Sequence, residues 1–122
     1  MEQVTIEIEY PFTSELSKNK RYGCYSNKFK NRLHVDDQNE IQFIFNARYK
    51  ALGKIALKDR VYISLSVIRP SRRTDASNYI NPINDAIFKC FTFGDNYCAG
   101  DYDFSVDKNN PRFVIKVTFW AD

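Results

Sequence analysis

Three stretches of the chain alternate apolar and polar residues, and this pattern limits the fold more than any other feature. In "VTIEIEY" (4–10), Val4, Ile6, Ile8 and Tyr10 fall on one side and Thr5, Glu7 and Glu9 on the other. In "RVYISLSVIR" (60–69), Val61, Ile63, Leu65 and Val67 recur at every second position. "RFVIKVTFW" (112–120) repeats the pattern near the end of the chain. A period of two puts alternate side chains on opposite faces of a strand, so each stretch predicts a half-buried strand. Pro11 and Pro70, which cannot donate to a ladder, are expected to end the first two.

Helical spacing fills the intervals. After an acidic start at Asp37, Ile41, Ile44, Phe45 and Leu52 fit one helical face, with Gly53 as the expected C-cap. Ile80, Ile83, Ile87 and Phe91 recur at threes and fours and predict a second helix within 77–91. Residues 14–35 read as a polar, basic loop with a short strand at its end. Residues 101–106 read as a short strand joined to the last one by the turn-rich "DKNNP". The expected fold is a single α/β (α+β) domain over residues 1–122, with a mixed sheet of about four to five strands and two main helices. Its 122 residues suffice for one real core.

Charge is distributed unevenly. Lys18, Lys20, Arg21, Lys28, Lys30 and Arg32 lie in one acid-free stretch, interleaved with Tyr22, Tyr25 and Phe29. Cations neutralise phosphates and aromatic rings stack on bases, so this segment is a candidate nucleic-acid contact. The plainer alternative is a solvated loop whose aromatics cover the core. Asp75 follows the central strand, with Arg72 and Arg73 before it and Ser77 and Asn78 after it. An aspartate there is either a helix cap or a metal ligand, and caps are the commoner use. Asp95, Asp101 and Asp103 make a second acidic group. On a strand, Asp101 and Asp103 share a face and would suit Mg²⁺, or they are merely solvated.

Several classes find no support. Cys24, Cys90 and Cys98 have no C-x-x-C spacing and His34 is the single histidine, which argues against structural zinc. Nothing places His34 beside a nucleophile. No phosphate-binding glycine motif occurs, so no nucleotide cofactor is expected. No run approaches eighteen apolar residues and no signal-type N-terminus is seen. The expectation is therefore a cytoplasmic protein without a membrane partner.

The order of these features resembles the RusA-like Holliday-junction resolvases over nearly the whole chain. "SKNKRY" (17–22) is similar to that family's basic loop, and "NRLHVDD" (31–37) to the approach to its first helix. "RRTDASNYINPINDAI" (72–87) resembles a family stretch of basic residues, D-x-D-N, a lysine three residues on, and later D-A-L. Asp75, Asn78, Asp85 and Ala86 match that stretch. Ser77 replaces its second aspartate and Asn81 its lysine. Pro82 suggests a later helix start, with Asn81 as cap and Pro82 at the first helical position. "FGDNYCAGDY" (93–102) is similar to the family's Asp-Asp turn. Either Gly94-Asp95 or Asp95-Asn96 occupies that pair; the first is preferred and keeps the second acid.

The resemblance implies a homodimeric, Mg²⁺-dependent endonuclease, with Mn²⁺ as a substitute, acting on branched DNA in recombination and repair, as in bacteria and their phages. It assigns catalysis and metal binding to Asp75 and Asp95, with Ser77 and Asp101 as further metal ligands. Arg72, Arg73 and the basic segment 18–32 would bind phosphates, supported by Asn78, Asn81 and Asp85. The departures leave a rival expectation: a catalytically degenerate relative that binds branched DNA or a protein partner without cutting.

Overall fold

The computed structural model describes residues 1–17, 32–73, 75–93 and 98–121. Three strands form where alternation predicts them. They are β1 (Glu2–Pro11), β2 (Ala56–Arg69) and β4 (Arg112–Ala121). A fourth, β3 (Cys98–Val106), starts earlier than its acid-rich sequence suggests. The sheet order is β1-β4-β2-β3. β4 pairs antiparallel with both β1 and β2, while β2 and β3 are parallel. The chain is thus a mixed α/β structure with a four-stranded mixed sheet.

One face of this sheet carries the core. Ile6, Ile8 and Tyr10 of β1, Val61, Ile63, Leu65 and Val67 of β2, and Phe113, Ile115, Val117 and Phe119 of β4 all point into one buried cluster. Helices α1 (Arg32–Ala51) and α2 (Ile80–Phe88) cover it. α1 buries His34, Gln38, Ile41 and Phe45, spaced at fours and threes, and α2 buries Ile83, Ala86 and Ile87. The helices are tied by Gln38 Nε2, which donates to the Pro82 carbonyl at 2.9 Å. The other face, with Glu7, Glu9, Tyr62, Lys116, Asp101 and Asp103, lies on the exposed side of the strands. No described helix is long and apolar enough to cross a membrane.

α1 begins at Arg32, so described residues 32–35 are helical and not the short strand expected there. The apolar period hid this first turn because its inward positions are polar. His34 Nδ1 lies 2.8 Å from the Glu15 carbonyl, anchoring the 3₁₀ turn Ser14–Leu16 against the helix. At the other end Gly53 takes φ +65, the left-handed conformation of a glycine C-cap, and its N–H meets the Lys50 carbonyl at 3.1 Å. Leu52 is exposed, outside the expected apolar face. Arg48 reaches over the β1 edge to the Glu7 carbonyl, blunting an edge strand.

α2 also departs from expectation. The 3₁₀ turn Ala76–Tyr79 runs directly into it, so Tyr79 holds the cap position and Asn81 does not. Pro82 falls third in the helix, still within the first turn, where a missing N–H costs no intrahelical bond. β3 reaches the sheet through the α2 crossover and lies beside β2, not beside β4. The approach is close: a Cβ on Gly100 would stand 2.5 Å from the Ile63 carbonyl oxygen. Gly100→Ala must push β3 away from β2, an overpacking expected to cost about 1–3 kcal/mol in urea denaturation.

Candidate nucleic-acid interface

β2 ends at Arg69, just before Pro70, and Ser71, Arg72 and Arg73 form an exposed turn beyond its carboxyl end. The Asp107 N–H donates to the Arg69 carbonyl at 2.9 Å, fastening the end of β3 beside it. Asp75 follows in extended backbone, exposed, at the cap of the Ala76–Tyr79 turn. Its Oδ1 accepts from the Ser77 N–H at 3.1 Å and from the Ser77 hydroxyl at 2.7 Å. Asp75 is therefore a cap, and Ser77 is its hydrogen-bond partner. Asn78 is half-buried, with its N–H on the Asp75 carbonyl at 3.4 Å.

The turn is held firmly from beneath. Ala76 and Tyr79 are buried, and the Tyr79 ring lies 5.2 Å from Phe12 and 5.4 Å from Phe113. Burial, and then the negative charge of Asp75, push the Tyr79 phenol above its ordinary range. Asn81 is exposed on the first turn of α2. Asp85 is half-buried in the middle of the helix, its carbonyl accepting from the Lys89 N–H at 3.2 Å.

The second acidic group is divided. Asp101 and Asp103 lie opposite Ser64 and Ser66 on exposed β3, on the sheet face away from the helices. Asp75 is anchored through Ala76 and Tyr79 on the helix side, so the sheet separates it from Asp101. Asp101 hydrogen-bonds Tyr62, whose phenol is raised by desolvation first and by Asp101 second. Asp95 lies outside the described residues, as do Gly94, Asn96, Lys18, Lys20, Arg21, Lys28 and Lys30. Arg32 is the first residue of α1.

The course of α2 bears on any pairing of the two acidic motifs. Tyr79 packs near Phe113, which pairs with Val67, whereas Phe91 packs near Phe119, which pairs with Val61. Those ends of β2 are roughly 20 Å apart at 3.3 Å per residue. Phe93 and Cys98, the described residues on either side of 94–97, both belong to the Val61 end.

Two features escaped the sequence reading. The Tyr10 hydroxyl lies 2.7 Å from Asp37 and 2.9 Å from Glu40, and burial followed by these hydrogen bonds raises its phenol well above the usual range. Arg60, Tyr62 and Trp120 come together on the open sheet face, with Gln3, Ser64 and Thr118. Their outward positions were visible in the alternation, but the strand order that joins them was not. Burial pushes the Cys90 thiol up to about 11, which keeps it protonated at neutral pH.

The chain matches no family model, and it has no significant match among curated proteins. Among the described residues, no three His, Cys, Asp or Glu side chains group to hold a metal ion.

Proposed function

We propose that this chain is a RusA-like protein that acts on branched DNA as a Mg²⁺-dependent endonuclease, with Asp75 at the centre of its acidic site. One observation carries the reading. Asp75 is exposed just beyond the carboxyl end of the central strand β2, two residues after the exposed pair Arg72 and Arg73. Crevices at the carboxyl ends of strands are the usual ligand positions in α/β sheets. A carboxylate held there by a buried aromatic anchor, with two arginines just before it in the chain, suits a phosphodiester. Arg72 and Arg73 neutralise phosphate charge, while the Ala76–Tyr79 turn fixes the carboxylate. The resemblance assigns a second carboxylate to Asp95, but Phe93 and Cys98 on either side of it belong to the opposite end of β2, so within one chain the reading rests on Asp75. A homodimer suits the substrate, since twofold symmetry offers equivalent sites to two strands.

The rival reading, binding of branched DNA without cutting, draws on Ser77. Where the family has aspartate, this side chain contributes a neutral hydroxyl already donated to Asp75. Incubation with a four-way junction over a range of Mg²⁺ and Mn²⁺ separates the two, since only the first yields nicked product. Both require binding that weakens with salt. Replacing Arg72 and Arg73 together by alanine is expected to lower the slope of log affinity against log salt by about 1–2, one step of about 0.9 per lost phosphate contact. Salt-independent binding of the unaltered protein would count against both readings.

A further inference from the structure

The open face of the sheet holds a shallow cleft of about 430 Å³ lined by Gln3, Arg60, Tyr62, Ser64, Thr118 and Trp120, together with the Val61 backbone strand. We propose that this cleft binds one unpaired nucleotide of a single-stranded nucleic-acid segment, its base stacked on Trp120 and Tyr62 and its phosphate on Arg60. The chemistry of the lining carries the assignment. Two aromatic residues supply stacking surfaces, Gln3 and Ser64 supply hydrogen-bonding groups for a base edge or sugar, and one guanidinium supplies positive charge. Stacking aromatics beside cations on an exposed sheet are a general solution to binding single strands.

Charge complementarity singles out this part of the face. Lys116 and Arg112 already lie within 4.0 Å and 3.5 Å of Glu7 and Glu9, and Lys54 within 2.8 Å of Glu2. Arg60 has no ion pair among the described residues and is exposed at the cleft. An anionic group is what it lacks. Asp101, at the side of the cleft, engages the Tyr62 hydroxyl and so orients that ring. The cleft volume falls within the range of sites for small ligands, and one nucleotide fills it. The site lies on the sheet face opposite to the Asp75 turn and does not depend on cleavage.

Trp120 is the only tryptophan of the chain, so a stacked base reports itself by quenching that emission. Titration of the full chain with a dT oligomer of about ten nucleotides is expected to give saturable quenching that weakens with salt. Tyr62→Ala should lower the affinity by between about fivefold and about 150-fold, the range for one lost stacking contact. Arg60→Ala should lower the salt slope by about 0.7, with circular dichroism checking that each variant remains folded. The Arg72→Ala/Arg73→Ala protein should quench normally, which separates this proposal from the junction reading. Three results would overturn it: no saturable quenching at low salt, equal quenching by an abasic oligomer, or an emission change on simple dilution, which would mean that a second copy covers the face.

Discussion

Phe113→Ala is expected to lower the unfolding free energy by about 3–5 kcal/mol, the usual cost of removing a fully buried phenylalanine. Phe113 is 0% exposed on β4, between Tyr10 of β1 and Val67 of β2. Its ring stacks on Phe12 at 5.3 Å and meets Tyr79 at 5.4 Å. Alanine leaves a cavity that cannot collapse easily, because the strands on both sides are fixed by their ladders. Domains of this kind have only about 5–15 kcal/mol in all, so the variant should sit near the edge of stability. Melting should fall by about 10–25 °C. The loss reaches the candidate site as well, since Tyr79 anchors the turn that carries Asp75. Phe113→Leu, which refills most of the space, should cost far less. Equal stability of Phe113→Ala and the unaltered protein in urea would contradict the packing described here.

The parts of the fold legible in sequence were those with one wet and one dry face. β1, β2 and β4 separate their apolar and polar positions so cleanly that their inward faces follow from the alternation, although β2 begins at Ala56, before the alternating stretch. Ile83 and Ile87 of α2 were equally plain. The first turn of α1 was not, because His34 and Gln38 are buried polar residues whose partners, the Glu15 and Pro82 carbonyls, are distant in sequence. β3 forms over the expected 101–106, but its start at Cys98 and its partner strand were not legible, for a different reason. Residues 100–106 of this edge strand are exposed on both faces and carry no burial period, and their partner β2 is reached only through the α2 crossover. Pro82 misled as well. It suggested a new helix start, but the preceding 3₁₀ turn continues without a break, and proline is tolerated anywhere in a first turn.

The candidate site was partly legible for the same physical reasons. Two readings of Asp75, cap or ligand, were open from sequence, and the geometry makes it a cap whose position also suits a phosphodiester. Its separation from Asp101 could not be foreseen, because face assignment on β3 depends on the register with β2. In that register Asp101 and Asp103 lie opposite Ser64 and Ser66. The open-face cleft depends on Trp120 of β4 and Tyr62 of β2 being neighbours, which strand order alone decides.

Asp75→Asn has the largest expected effect on activity. Asparagine is as good a cap as aspartate, so the Ala76–Tyr79 turn should persist with little change in stability. Asp75→Ala, by contrast, removes the cap and should cost about 1 kcal/mol. What asparagine removes is the negative charge. Loss of a principal acid–base or electrostatic group typically slows a reaction by about 10²–10⁴-fold. Because Arg72 and Arg73 are untouched, junction affinity should stay close to that of the unaltered protein. Cleavage and binding are thus expected to part company in this one variant.

The most direct measurement compares initial rates of four-way-junction cleavage by the unaltered protein and Asp75→Asn, with both saturated with junction in Mg²⁺. Nicked product is expected from the unaltered protein, with at least about 100-fold slower cutting by the variant, at similar affinity. Cutting by Asp75→Asn at the unaltered rate, or tight binding by the unaltered protein with no product in either Mg²⁺ or Mn²⁺, would contradict it.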